Sequence, residues 1–416
     1  MRDSRTAAPE RLTVVDEIFL RTHRGYGTPI VLQGLWRTAD RVDRRLLEQV
    51  HAALRTGPLG RRVIRPSVPG ARPRWRRTIR AHPLTVEDRP IPASALLTWA
   101  DTCGDDLDPE FGPGWRLAAV PLDDGGSAVS LTCSHALADG RALVIAIDEA
   151  LRAEPDRHAV ALTAGSDWAD AGGQWAMVLH GVARALPRGI PPRPAAPPRR
   201  PAASGPPVGI VVQFPVRECD GAAAALGGTS NSLFIWLVAS ILWAAGFPEP
   251  TIEASLPVDT RDEPRVDNDL AMTQTALTRA DTPASIREKA RTAYEHRMTA
   301  PGGMPEQILQ VLPDRWSAVL AAGAGERDIL CSNIGALPDT LTALGPHRRT
   351  GVAARAIHPG LTTLPRTRLS GYLCRSGDNY ALSLVALDPG RIPTPATLRK
   401  LVSEVTSPIG VPLEFW

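Results

Sequence analysis

The sequence has almost no lysine and no closely spaced cysteine or histidine pairs, which excludes several classes of protein. Lysine occurs only at positions 289 and 400, so the positive charge is nearly all arginine. The net charge of +3 is too small to indicate nucleic acid binding. The five cysteines form no C-x-x-C pair, which argues against a disulfide framework or a zinc site and favours a reducing compartment. No histidine pair has the spacing of metal ligands, so no metal is expected.

Long apolar runs are also missing. The most apolar stretch, Leu233 to Phe247, is shorter than the ~20 residues that a bilayer requires. It follows the cap residues Thr229-Ser230-Asn231 and ends near Gly246, so a buried core helix over 230–246 is predicted instead of a membrane segment. The first residues lack the apolar run of a signal peptide, so a cytoplasmic protein that is not integral to a membrane is predicted.

Three common catalytic motifs are not found. The sequence has no G-x-x-x-x-G-K-[ST], no G-x-S-x-G, and no G-x-G-x-x-G between a strand and a helix. Nucleotide hydrolysis, serine hydrolysis and dinucleotide binding therefore lose their main sequence support. The composition, with 43% apolar and 22% charged residues, is that of an ordinary folded protein.

A proline-rich segment at 186–209 predicts an extended linker, because proline removes backbone donors and fixes φ. It would divide the chain into an N-terminal lobe at 1–185 and a C-terminal lobe at 210–416. Strand-like and helix-like patterns alternate on both sides, so the predicted class is α/β or α+β. The patterns used below are a helix over Asp43–Thr56, strands over Trp115–Pro121 and Ser127–Cys133, and helices over Gly140–Leu151 and Pro395–Val405.

The segment His135-Ala136-Leu137-Ala138-Asp139-Gly140 is the strongest candidate site. Alternation along Ser127–Cys133 puts Val129, Leu131 and Cys133 on one face and carries His135 to that apolar side as the strand ends. A histidine held there, with a pKa near neutrality, is suited to act as a general base. The alternative is a core histidine satisfied by a hydrogen bond, and the H-x-x-x-D-G pattern alone does not decide between them.

Several segments resemble, in order, the condensation-domain and CoA-dependent acyltransferase superfamily. The similarity is to condensation domains of peptide synthetases, to wax-ester synthases and diacylglycerol acyltransferases, and to polyketide-associated acyltransferases. The segments are LTVVDEIFL at 12–20, the motif region at 112–143, GGTSNSLFIWLVASIL at 227–242, LPVDTRDEPRVDNDLAMTQTAL at 256–277 with its Pro-Val-Asp-x-Arg and downstream Asn, and LCSNIGALPD at 330–339.

This resemblance implies a fold and residue roles. Two chloramphenicol-acetyltransferase-like lobes would form a V, with the active site between them. His135 would be the base, Asp139 would pair with Arg261 for structure, and Gly140 would leave room for the donor and offer a backbone N–H to the thioester oxygen. No cofactor is implied beyond an acyl thioester on CoA or a phosphopantetheinyl acyl carrier protein. The partners would be that donor and a small-molecule acceptor, and the protein would be a monomer.

Two features depart from the pattern or leave alternatives open. Most family members have the motif His-His-x-x-x-Asp-Gly, and this chain has Ser134 at the first histidine position. In the family the second histidine, which corresponds to His135 here, is the catalytic one. Ser332 and Asn333 would either shape the cleft opposite His135, on the oxyanion side, or form a turn at a strand end.

Two functions are therefore expected. The first is an acyltransferase of natural-product or lipid biosynthesis, forming esters or amides. The second is a catalytically degenerate condensation-fold module that docks a carrier protein or partner enzyme. A His135 ring that reaches a solvent-filled tunnel favours the enzyme, and a ring walled off by side chains favours docking. The arginines at 61–80 and 193–200 would contact CoA phosphates or an acidic carrier protein, or simply form a solvated basic surface.

Overall fold

A computed structural model describes residues 11–152, 165–185, 200–201, 205–295, 305–321 and 326–416 of the chain. The helices in these residues are α1 (Val14–His23), α2 (Arg44–Thr56), α3 (Leu96–Thr102), α4 (Gly140–Leu151), α5 (Asp167–Ala185), α6 (Val216–Ala225), α7 (Ser230–Ala244), α8 (Pro283–Glu295), α9 (Ile308–Val311), α10 (Asp314–Ala321), α11 (Asp339–Thr342) and α12 (Pro395–Thr406). The strands are β1 (Val31–Thr38), β2 (Arg61–Ile64), β3 (Arg74–Arg77), β4 (Thr85–Val86), β5 (Trp115–Pro121), β6 (Ser127–Ser134), β7 (Arg200–Pro201), β8 (Val208–Pro215), β9 (Thr251–Asp259), β10 (Leu270–Thr278), β11 (Ile329–Ala336), β12 (Arg349–Ile357), β13 (Thr363–Leu364), β14 (Leu369–Ser376), β15 (Asn379–Ala386) and β16 (Glu414–Phe415). The predicted mixture of helices and strands is confirmed.

The first sheet has the order β12-β1-β6-β5-β4, with β6 in the middle. Every residue of β6 is buried, because both faces of the strand are covered. On its polar face, Gln33 of β1 donates to Ser130 Oγ at 2.9 Å and Thr132 Oγ1 at 3.1 Å, which satisfies these buried hydroxyls. The strand is therefore a fixed support, and it ends directly before His135.

The second sheet has the order β10-β9-β11-β14-β15-β8-β16 and forms a core with α7, α8 and α12. Helix α7 begins with a capping box in which Thr229 accepts from the backbone N–H of Ser232. Its side chains are buried around most of its circumference, which confirms the prediction of a core helix. In the described part of the chain no single helix has the length and apolar character of a membrane span, although α6 and α7, bent by 83°, pass that test as a pair.

The two sheets do not separate cleanly at one point in the sequence. Strand β12 follows most of the second sheet in the chain, yet it pairs antiparallel with β1, with Val31 opposite Ile357. The predicted C-terminal lobe at 210–416 therefore supplies one strand to the first sheet. Of the predicted linker at 186–209, only 200–201 and 205–209 lie within the described residues, so the division there remains a prediction.

Candidate active site

The motif segment is a tight connection between β6 and α4. The N–H of Leu137 bonds to the carbonyl of Ser134 at 2.9 Å, which turns the chain directly after the strand. Asp139 is the N-cap of α4, and its Oδ1 accepts from the N–H of Ala142 at 2.9 Å. The helix has the predicted bounds, Gly140–Leu151. His135 is thus anchored at both ends, by a buried strand and by a capped helix.

His135 is buried, with 8% of its surface exposed. The ring of Phe19, on α1, stacks on its imidazole with the centroids 3.4 Å apart and the planes 13° from parallel. His135 Nδ1 lies 3.2 Å from Oδ1 of Asn268. Stacking covers a face of the ring, whereas a proton is exchanged in the ring plane. Some buried side-chain nitrogens of the described residues have no hydrogen-bond partner. Nε2 of His358 is one of them, whereas Nε2 of His135 is not.

The environment changes the acidity of this ring. Burial lowers the pKa of His135 to about 4, and hydrogen bonds that the ring makes to its own backbone and to Asn268 Oδ1 oppose the shift only in part. The pKa near neutrality that was predicted from the sequence is therefore wrong, because removing the ring from water penalises the charged imidazolium. At pH 7 the ring is therefore neutral and one nitrogen has a free lone pair.

A titration tests this environment. We expect the ring resonances of His135 to titrate near pH 4 in a heteronuclear NMR experiment, well below an exposed histidine at about 6.5. Because the neutral ring is the competent base, any activity should persist at pH 5 and fall only as the pH approaches 4. His358, whose pKa burial also lowers to about 4, must be assigned separately with a His358→Gln variant. A His135 midpoint near 6.5 would show that the ring is in contact with bulk water.

Asp139 lies against Arg261, as the resemblance implied. Arg261 Nη2 donates to Asp139 Oδ2 at 2.6 Å, and the two side chains are only 4% and 5% exposed. The N–H of Asp269 donates to the same oxygen at 3.0 Å. Burial raises the pKa of the Asp139 carboxyl, and the Arg261 guanidinium with the backbone donors opposes that shift. The pair joins the motif to the segment between β9 and β10.

The predicted roles of Gly140, Ser332 and Asn333 remain predictions, and the structure shows what surrounds each of these residues. A Cβ on Gly140 would meet Ile334 Cδ1 at 2.8 Å, so the Ile334 side chain of β11 bounds the space beside this glycine. Ser332 and Asn333 lie within β11, beside a bulge, and not at its end. Asn333 is exposed and donates to Asn231 Oδ1 at 2.9 Å. No hydrogen bond between either residue and His135 is found in the described part of the chain.

Two buried side chains that sequence reasoning did not place at the site hold the motif. Asn268 Nδ2 donates to the carbonyl of His135 at 2.9 Å. Arg61 Nη2 donates to the carbonyls of Leu137 and Val266, at 2.7 and 2.8 Å, and its guanidinium lies over the ring of Trp75. Arg61 belongs to the arginine stretch at 61–80, which was predicted either to contact CoA phosphates or an acidic carrier protein or to form a solvated basic surface, and its burial fits neither prediction. The signal in the sequence that could have indicated the burial of Arg61 was the apolar residues within that stretch.

Comparison with known proteins places this geometry in a fold. No family model matches the chain, and no curated protein matches it. Several solved structures, in contrast, match almost the whole chain. The wax ester synthase/diacylglycerol acyltransferase from Marinobacter aquaeolei VT8 has a TM-score of 0.59 and 15% identity, over 97% of this chain and 100% of that one. The starter condensation domain of rhizomide synthetase, in complex with C8-CoA and Leu-SNAC, has a TM-score of 0.57 and 14% identity, over 96% and 94%.

The chain has the two-lobed condensation-domain fold. A further match shows how far the fold alone reaches. The epimerization domain from the third module of tyrocidine synthetase B has a TM-score of 0.55 and 15% identity, over 98% of both chains. A condensation domain, an acyltransferase and an epimerization domain thus share this architecture. The activity of this condensation-fold chain has to be argued from its site.

Proposed function

We propose that this protein is an acyltransferase that moves an acyl group from a thioester, on CoA or a carrier protein, to a hydroxyl or amine, with His135 as general base. The observation that carries the proposal is the hydrogen bonding of His135. An amide oxygen accepts only, so Asn268 Oδ1 beside Nδ1 favours the tautomer with a proton on Nδ1. Nε2 then has the free lone pair that a base requires.

The transfer needs no covalent enzyme intermediate. His135 Nε2 takes the proton of the acceptor hydroxyl or amine as its oxygen or nitrogen attacks the thioester carbonyl. The carbon–sulfur bond breaks, the acyl group stays on the acceptor, and the proton passes to the leaving thiolate. The first N–H groups of α4, at Gly140 and Arg141, have no acceptor within the helix, and would stabilise the tetrahedral oxyanion.

One observation favours the second function, a module that docks a carrier protein or partner enzyme. Phe19 covers one face of the His135 ring, and only 8% of the surface of His135 is exposed. For transfer, the acceptor must therefore reach Nε2 along the ring edge, or Phe19 must rotate. Phe19 is half-buried, so its side chain has a solvent side towards which it can turn.

A screen by intact-mass spectrometry separates the two functions. Acyl-CoA and acyl-loaded carrier donors would be incubated with a panel of alcohols and amines. We expect at least one acceptor to gain the mass of the acyl group only when the active chain is present. A reaction without acceptor controls for thioester hydrolysis. Tight binding of a loaded carrier with no acylated product from any pair would contradict the enzyme and support docking.

A further inference from the structure

Asp16, the third residue of α1, uses its two carboxylate oxygens for different purposes. Oδ2 accepts from the N–H of Thr13 at 2.8 Å and completes a capping box at the start of the helix. Oδ1 accepts from Asn268 Nδ2 at 2.8 Å. Capping needs one oxygen and is usually done at the surface, yet Asp16 is fully buried. The second oxygen connects α1 to a residue 252 positions away in the sequence.

Asn268 has one chemically sensible orientation. Its Nδ2 faces three acceptors: Asp16 Oδ1 at 2.8 Å, the carbonyl of His135 at 2.9 Å and the carbonyl of Ala136 at 3.3 Å. Only the NH2 group can donate to these acceptors, with one of its two N–H groups shared between the carbonyls of His135 and Ala136, so the amide oxygen must be the atom 3.2 Å from His135 Nδ1. Of the three acceptors, only the Asp16 carboxyl can carry a charge, and charge-assisted hydrogen bonds are the strongest. Burial raises the pKa of this carboxyl, whereas the hydrogen bonds from Thr13 and Asn268 and the nearby Arg61 guanidinium oppose the shift and favour the charged form.

We infer that Asp16 is a positioning residue that acts through Asn268. Its carboxylate holds the amide so that Oδ1 accepts the Nδ1 proton of His135, which leaves Nε2 as the base. Without it, the amide can turn and present NH2 to Nδ1, which favours the opposite tautomer with its proton on Nε2. This inference rests on the proposed function where activity is concerned. The tautomer of His135 can be measured without any substrate.

The test compares Asp16→Ala with Thr13→Ala as the matched control. Both variants weaken the α1 capping box, because Thr13 Oγ1 accepts from the N–H of Asp16, but only the first removes the partner of Asn268. We expect the ring 15N shifts of His135 to move towards the Nε2–H tautomer in Asp16→Ala and to stay unchanged in Thr13→Ala. With a working substrate pair, kcat should fall about tenfold or more in Asp16→Ala, as for other residues that orient a catalytic group.

Two further variants keep the inference falsifiable. Asp16→Asn keeps the volume but turns one acceptor into a donor, so it cannot serve both Thr13 and Asn268, and the 15N shifts should move in the same direction. In an Asn268→Ala background, adding Asp16→Ala should lower kcat no further. Unchanged 15N shifts in a folded Asp16→Ala or Asp16→Asn protein would overturn the inference. A wild-type chain that transfers no acyl group would overturn the proposed function instead, and the 15N shifts would still decide the role of Asp16.

Discussion

Replacing His135 with alanine should lower acyl transfer at least about a hundredfold, the usual contribution of a general base, while the protein remains folded. The reason is geometric. The variant removes the imidazole that is anchored between β6 and α4 and contacts Asn268, and water cannot occupy the place of Nε2 with the same orientation. The measurement is kcat/KM for a donor and acceptor pair found in the mass screen, together with the melting temperature.

His358 provides the matched control. It is as buried as His135, burial lowers its pKa to about 4 as well, and its Nδ1 bonds to the carbonyl of Pro29 at 2.7 Å. His358→Ala should therefore test the loss of a buried imidazole without the loss of the base, and transfer should stay near the wild-type rate. Full activity in His135→Ala would refute the base mechanism. Carrier binding that survives in His135→Ala, in a chain with no transfer activity, would favour the docking module.

The local part of the site could be predicted from the sequence because it depends on short-range signals. Asp139 and Gly140 begin α4 at the expected residue, since a cap and the helix that follows are neighbours in the chain. Alternation along β6 correctly separated an apolar from a polar face. It could not show that the polar face is buried too, because Gln33, which satisfies Ser130 and Thr132, lies almost a hundred residues earlier.

The long-range part of the site could not be predicted from periodicity. Asn268 contacts His135 across 133 residues, Asp16 contacts Asn268 across 252 residues, and no spacing rule connects them. Phe19 lies in a segment whose resemblance was noted, but a resemblance without coordinates does not say that its ring covers the imidazole. Burial of the ring also explains the error in the expected pKa of His135. The sequence reveals the ionisable group, whereas the fold determines how much water reaches it.

Replacing Asp139 with alanine should lower both stability and activity. The side chain accepts from Arg261, from the N–H of Asp269 and from the N–H of Ala142, so its removal leaves a buried guanidinium without its closest carboxylate and α4 without its cap. Breaking a buried pair by removing one partner costs about 3 kcal/mol or more of unfolding free energy. The measurement is a chemical denaturation curve for each variant, with kcat/KM measured in parallel. Activity should fall because α4 begins at Gly140, five residues after His135.

The control and the second variant make this a test of the pair itself. Arg37 and Asp124 form an ion pair of the same length, 2.6 Å, but their side chains are 21% and 40% exposed. Asp124→Ala should therefore cost less than about 1 kcal/mol. Adding Arg261→Met to Asp139→Ala should recover part of the lost stability, because it removes a buried guanidinium whose remaining carboxylate partners are the partly exposed Asp259, at 2.7 Å, and Asp267, at 3.4 Å. If Asp139→Ala unfolds at the same denaturant concentration as the wild type, the carboxylate does not stabilise the motif, and a direct part in the chemistry becomes the better account of its position beside His135.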